Sequence, residues 1–294
     1  MAQEIRIEPL DATFGARLSG VKLASISEAD FEELYQAWLK YGLLVCEAQF
    51  LSNDEQIDFA KRFGKLEFEL AALSNVLEDG DLRPDDGSDD VMNILLGNME
   101  WHHDSTYMPV QAKGAVFTAE IVPTQGGETG VADMRAAYNA LDSKMRKKLE
   151  GLRAHHSLHY SQNKIGFASQ RLEGKGINED RDLDGYGFHE GPVSIRPLVK
   201  EHPETGCSNL IIGRHAYDII GLSEKESSEL LGWLKDYACK PPRTYHHRWR
   251  SGDTLVWDNR RLMHQATPWP TNQARVMWHT RIAGDPETES AVYE

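Results

Sequence analysis

Apolar and polar residues alternate along residues 5–10, and a turn at Thr13-Phe14-Gly15 leads into a second short alternating run ending near Val21. A period of two marks strands. The period then changes. Phe31, Leu34, Trp38 and Leu39 fall on one helical face, opened by Ser27 with Asp30 as a capping pair and stopped by Gly42. Ser52 and Glu55 form a second capping box, opening a helix that carries Ile57, Ala60 and Phe63 and ends at Gly64. The apolar run 43–46 between these helices reads as a buried strand, and so does the run 91–96.

Further strands are predicted over 115–122, 193–199, 208–212, 244–249, 254–257 and 276–282, with 154–160 also extended. Helices are predicted over 133–141 and 143–152. A third opens at Ser223 and Glu226 and places Leu230, Leu231, Leu234 and Ala238 on one face. Pro203-Glu204-Thr205-Gly206 is a hairpin turn signal. Strands dominate the second half and no repeat is visible. The pattern predicts a mainly β protein with flanking helices, a sandwich or barrel with helices packed outside it, forming one domain over residues 1–294. Two stretches break the pattern. Residues 77–90 are acidic with Pro and Gly, and 162–190 are rich in glycine and charge. Both read as surface loops, and 65–90 and 162–190 are the segments expected to form lids.

Charge narrows the function. The 294 residues carry a formal net charge of −14, which repels nucleic acid and anionic membrane surfaces. A small anionic substrate would then need local arginines to hold it. Cys46, Cys207 and Cys239 lack metal-ligand spacing and read as free thiols of a reducing compartment. No apolar run approaches the roughly 18 residues of a membrane span. The first residues alternate like a strand and lack the apolar core of a signal peptide. A cytoplasmic protein is expected.

Against that background, the stretch 97–108 (Gly-Asn-Met-Glu-Trp-His-His-Asp-Ser-Thr-Tyr-Met) holds the candidate chemistry. His102 and Asp104 are two apart, so extended backbone sends both side chains to one side. An imidazole and a carboxylate there make two thirds of a 2-His-1-carboxylate metal site. His264, directly after a predicted strand and turn, fits as the third ligand. Since the chain has 12 histidines, a late one is weak support by itself. An independent requirement helps: an oxygenase using 2-oxoglutarate needs a cation for the distal carboxylate, and the planar fork of arginine suits it. Arg275 lies on the next strand. Alternation puts Arg275, Met277, His279 and Arg281 on one face and Val276, Trp278, Thr280 and Ile282 on the other. Buried arginines need anionic partners, whereas exposed ones would be plain surface charges, and periodicity leaves both readings open. His103 and Trp101 read as structural, and His155, His156 and His159 receive no role.

These motifs resemble, over nearly the whole chain, the taurine/2,4-dichlorophenoxyacetate dioxygenase family of Fe(II)- and 2-oxoglutarate-dependent oxygenases. The matching landmarks are Ile7-Glu8-Pro9-Leu10, Phe59-Ala60-Lys61-Arg62-Phe63-Gly64, Trp101-His102-His103-Asp104, Gly126-Gly127-Glu128-Thr129, His202-Pro203-Glu204-Thr205-Gly206, Trp257 through His264, and Arg275-Val276-Met277. Within it, Gly97 through Pro109 and Arg275 through Arg281 are most similar to the aryloxyalkanoate subgroup. The resemblance implies a double-stranded β-helix, or jelly-roll, core. It implies Fe(II) held by His102, Asp104 and His264, with O2 and 2-oxoglutarate as co-substrates, Arg275 and Thr129 on the latter, and Asn98 lining the substrate pocket. Taurine enzymes carry a substrate arginine where this chain has His279, so Arg281, with His279 as the alternative, is expected to hold the substrate anion. The implied reaction hydroxylates a small anionic substrate, with an aryloxyalkanoic acid cleaved to a phenol and a 2-oxo acid as succinate and CO2 form. The same chemistry on another carboxylate, a sulfonate or a sulfate ester is the alternative, and a homo-oligomer is a family expectation. Two rivals of other classes are a zinc hydrolase and a non-catalytic carboxylate-binding barrel.

Overall fold

The computed structural model describes residues 5–166 and 191–293. Its strands in chain order begin with β1 (Arg6–Pro9), β2 (Ala16–Ser19), β3 (Leu43–Cys46), β4 (Leu66–Ser74), β5 (Gly114–Ile121), β6 (Thr129–Asp133), β7 (Arg153–His156) and β8 (Ser194–Pro197). They continue with β9 (Val199–Glu201), β10 (Ser208–Leu210), β11 (Ala216–Ile219), β12 (Thr244–His247), β13 (Thr254–Asp258), β14 (Leu262–Ala266) and β15 (Val276–Ile282). The helices are α1 (Glu28–Tyr41), α2 (Asn53–Lys61), α3 (Asp90–Gly97), α4 (Met134–Ala140), α5 (Ser143–Leu149), α6 (Leu158–Lys164), α7 (Glu224–Ala238) and α8 (Pro286–Glu289). Among them none is long and apolar enough to cross a membrane.

Seven strands form a large sheet in the order β1-β2-β3-β13-β5-β15-β4, antiparallel except for the β2–β3 pair. Strand alternation gives it two apolar faces. Leu44, Cys46, Val116 and Val256 pack on one face with Phe31, Leu34 and Trp38 of α1 and Phe59 of α2. Their neighbours Leu43, Val45, Ala115, Phe117, Leu255 and Trp257 turn the other way, into a core shared with Val131 of β6 and Leu262 of β14. Those two strands belong to a smaller sheet, β12-β6-β14. Its far face, with Ala132 and Met263, meets Met134 and Ala137 of α4 and Leu230 and Leu234 of α7. The layers are therefore helix, large sheet, small sheet, helix. The predicted mix of sheets and flanking helices is present.

Three local expectations need correction or limits. Residues 91–96, expected as a strand, lie in α3. Asp89 caps that helix by accepting from the Met92 N–H at 2.7 Å, and Val91, Met92, Ile94 and Leu95 are buried at helical spacing. A short apolar run with β-branched residues fits either period, and only its partners decide. Residues 154–160 divide into the end of β7 and the start of α6, because the Ser157 side chain accepts from the Tyr160 N–H and caps a helix. Most of the expected lid 162–190 lies outside the described residues. The segment 65–90 is strand β4 followed by a loop.

The turn between β13 and β14 ties the layers together. Arg261 makes a fork of two hydrogen bonds to Asp133 at the end of β6 (3.0 and 2.7 Å) and a third to the Lys40 carbonyl at the end of α1. Arg260 binds Asp258, which also meets His202 at 2.8 Å. All are buried. Removing one partner of such a pair strands the other charge, so Arg261→Ala is expected to lower the unfolding free energy by roughly 3–5 kcal/mol, measured by urea denaturation of the apoprotein.

Candidate metal centre and co-substrate pocket

The two histidines expected to share a metal are joined first by backbone. The His102 N–H donates to the His264 carbonyl at 2.9 Å, and the His264 N–H returns the bond at 2.8 Å. This antiparallel pair brings the imidazole centroids to 4.3 Å. Asp104 joins them through Asn259, whose side chain accepts from the Asp104 N–H and donates to the Asp104 and Ala112 carbonyls. One donor atom from each of His102, Asp104 and His264 lies within 4.8 Å of the others, all three residues being buried.

The donor atoms are prepared for a cation. His102 Nδ1 sits 2.7 Å from the Glu100 carbonyl. A carbonyl only accepts, so Nδ1 carries the proton and the lone pair is on Nε2. Burial pushes the His102 imidazole down to about 4, opposed by Asp104; burial and His102 likewise hold His264 well below the ordinary range. Burial, the largest single influence, would raise the Asp104 carboxyl, but Arg281 together with the surrounding histidines outweighs it and holds the group well below the usual carboxylate range. Asp104 Oδ2 is buried with no hydrogen-bond partner, 3.7 Å from His264 Nε2. A charged oxygen left thus facing neutral imidazoles makes a 2-His-1-carboxylate donor set that fits a divalent metal ion.

Arg275, Thr129 and Asn98 line the same pocket as these three residues. Arg275 is buried, so the solvent-face reading of its strand is excluded. Its backbone N–H donates to Asn75 Oδ1, and its guanidinium lies over Trp269 and makes long bonds of 3.3–3.4 Å to the Gly127 carbonyl. Gly127 has φ +68°, and a Cβ there would stand 3.2 Å from Arg275 Nε, so glycine gives the arginine its room. Thr129 Oγ accepts from the Trp249 indole at 3.0 Å, which directs its own proton elsewhere.

Arg281 and His279, one of which is expected to hold the substrate anion, both line this pocket. Arg281 Nη2 donates to Asp104 Oδ1 at 3.0 Å and Nη1 to Ser105 Oγ at 3.1 Å, with Glu67 at 3.5 Å. Its fork is thus taken up by the protein's own polar groups. His279 is buried among Phe68, Phe117 and Trp257, with Nε2 3.6 Å from Asp104 Oδ2. His103 is structural, its Nδ1 2.8 Å from the Asn259 carbonyl.

Four residues at the site went unread in the sequence. Glu67 accepts from the Ser105 hydroxyl at 2.7 Å; in an alternating strand that also carries Glu69 it reads as one more polar position and carries no signal. His215 faces the pocket, with Nδ1 bound to Ser161 Oγ at 2.9 Å. The Ser161 proton goes to the Leu158 carbonyl, so His215 Nδ1 donates. Arg214, beside it, donates to Gln162 Oε1 at 2.6 Å. Asn259 lies in a recognised motif, but its role depends on a contact far along the chain.

The model of the "Taurine catabolism dioxygenase TauD, TfdA family" matches residues 6–281. A protein of Sphingobium herbicidovorans described as (S)-phenoxypropionate/alpha-ketoglutarate-dioxygenase is 58% identical over 292 residues, 99% of each chain. One of Delftia acidovorans with the same description is 49% identical, again over 99% of each. Among solved structures, AAD-2 in complex with Mn(II) and N-oxalylglycine superposes with a TM-score of 0.86 at 33% identity, covering 99% of this chain and 100% of that one. The chain belongs to the TauD, TfdA family of dioxygenases. It is a non-haem iron dioxygenase dependent on 2-oxoglutarate, Fe(II) and O2.

The buried imidazoles set an acid limit for the apoprotein. His103, like His102, is pushed down to about 4 by burial. Between that value and the ordinary one near 6.5 the unfolded chain binds protons that the folded chain refuses, so stability falls as pH drops through this window. The urea midpoint is expected to decline from pH 6.5 to about 4, and His103→Gln to flatten that slope.

Proposed function

We propose that this chain oxidises an aryloxyalkanoic acid at the carbon bearing the ether oxygen, on a double-stranded β-helix core formed by the large and small sheets as one domain. The observation carrying this reading is the polarity of the pocket. Leu73, Ile94, Leu95, Leu158 and Trp269 form an apolar wall, while Asn98, Gln162 and His215 supply polar groups beside the metal ligands. An aromatic ring fits the first and a carboxylate the second. The descriptions of the two most similar relatives above support the same substrate class.

His102, Asp104 and His264 hold the metal. Bound iron with 2-oxoglutarate and O2 supplies an oxidant that replaces C–H by C–OH, releasing succinate and CO2. Arg275 grips the distal carboxylate of 2-oxoglutarate through its fork, and the Thr129 hydroxyl donates a further bond. The N-oxalylglycine of the related structure is a diacid with NH in place of one CH2 of 2-oxoglutarate, which supports a site of this shape. Asn98 and Gln162, with Arg214 behind Gln162, orient the substrate carboxylate and so aim the reacting C–H bond. Hydroxylation there gives a hemiacetal or hemiketal, which collapses to a phenol and a 2-oxo acid. The apolar wall also excludes water. Loop 77–90 leads into α3, which bears Ile94 and Leu95, so its movement would open that wall.

Purified protein with Fe(II), 2-oxoglutarate and a panel of aryloxy acids, sulfonates and sulfate esters should form succinate fastest with an aryloxy acid, phenol appearing in equal amount. Turnover without O2 or 2-oxoglutarate would instead favour a zinc hydrolase, and absence of succinate under any condition a binding module. Arg275→Gln should raise the KM for 2-oxoglutarate at least tenfold. Arg214→Gln should raise the KM for the aryloxy acid about tenfold while leaving that for 2-oxoglutarate within twofold, as initial rates will show.

A further inference from the structure

Arg281 is accounted for by neither the co-substrate nor the substrate. It reaches into the metal site from β15, two residues beyond His279, and donates through Nη2 to Asp104 Oδ1 at 3.0 Å. The other carboxylate oxygen, Oδ2, is buried, has no hydrogen-bond partner and stands 3.7 Å from His264 Nε2. The two oxygens of one carboxylate are thus distinguished: one is taken by a guanidinium, and the other looks at the imidazoles.

The arginine is itself held. Nη1 donates to Ser105 Oγ at 3.1 Å, and that hydroxyl donates to Glu67 at 2.7 and 3.0 Å. Arg281 also lies over the Phe68 ring, 4.7 Å from its centroid. Ser105 is buried and takes φ +55°, a backbone conformation that favours glycine. The left-handed residue turns the chain immediately after Asp104 and brings the hydroxyl between Arg281 and Glu67. A non-glycine residue in that conformation inside a site marks a position that its surroundings hold in place.

We propose that Arg281 is a positioning residue for the metal: by occupying Oδ1 it confines Asp104 to binding through Oδ2 alone. The inference rests on the reading of His102, Asp104 and His264 as ligands. A carboxylate free to rotate could chelate through both oxygens and take a coordination position needed by 2-oxoglutarate or O2. Confined to one oxygen, it would supply a single donor and leave room at the metal for the co-substrates. Glu67 balances the guanidinium, so the device adds little net charge beside the cation, and Ser105 sets the distance between them.

Because Arg281→Met alone would leave Glu67 buried without its cation, the test uses Arg281→Met/Glu67→Gln, which removes one charge of each sign. Apoprotein is titrated with Co(II) by calorimetry, and the visible spectrum of the complex is recorded. Orienting groups around a metal ligand contribute about 10- to 100-fold in affinity. The double variant, with wild-type far-UV circular dichroism, should therefore bind Co(II) at least tenfold more weakly and with an altered d–d spectrum. Arg281→Lys, which keeps one donor, should fall between the two. A double variant within threefold of wild type, with an unchanged spectrum, overturns the proposal; if it does not fold, Arg281→Lys within threefold does so. Wild-type protein that binds no Co(II) would instead remove the metal-site reading beneath it.

Discussion

The two-way backbone bond between His102 and His264 is the constraint on which the site depends. In an antiparallel sheet, a pair that exchanges both hydrogen bonds holds its α-carbons about 5.5 Å apart. The main chain therefore sets how far apart the two side chains start, and their rotamers need only turn the rings toward one point. Everything that fixes β14 bears on the site: its pairing with β6, the Arg261–Asp133 fork at its start, and the Asn259 amide that brings in Asp104. Since the bond is made by main chain, substitution of side chains nearby leaves it in place.

Chemistry and selectivity occupy different kinds of structure. The metal ligands and Arg275 stand on or directly beside paired strands, where two sheets share a core. Much of the rest of the pocket lining comes from α3, α6 and the segment before β11. Gly97 shows how closely these segments are fitted: a Cβ there would lie 2.4 Å from Arg214 Nη1 and 2.5 Å from Gln162 Oε1. Strands give positional precision that loops lack. The apolar wall can thus vary in shape around a fixed centre.

Much of this was legible in the sequence because it is local. Capping boxes at Ser52 and Ser223 are formed as read, and the strands expected over 43–46, 115–122, 254–257 and 276–282 are formed as β3, β5, β13 and β15. The spacing of His102 and Asp104 with a late histidine was weak by itself, and the family resemblance added to it nominated three residues that do meet. What escaped was decided by tertiary partners. The run 91–96 fits a strand or a helix equally well, and packing against Tyr107, Leu158 and Trp269 belongs to the helix. Arg281 and His279 are expected to face a ligand because taurine enzymes carry a substrate arginine at the position of His279 and Arg281 shares its face. That face is indeed turned inward, but periodicity cannot say which inward arginine meets a protein carboxylate. Glu67 and His215 come from segments with no motif, so only the folded chain reveals them.

The pairing of Arg281 with Glu67 bears on the order in which ligands arrive. With Fe(II) in place, the metal and the guanidiniums of Arg275 and Arg281 outweigh Asp104 and Glu67, and the interior is electropositive. The two carboxylates of 2-oxoglutarate bring it to electroneutrality. A dianion would therefore be drawn in first, and a singly charged acid arriving later would find its remaining attraction at the distal wall, near Arg214. Ordered binding of this kind needs no moving part, because fixed charges alone impose the queue.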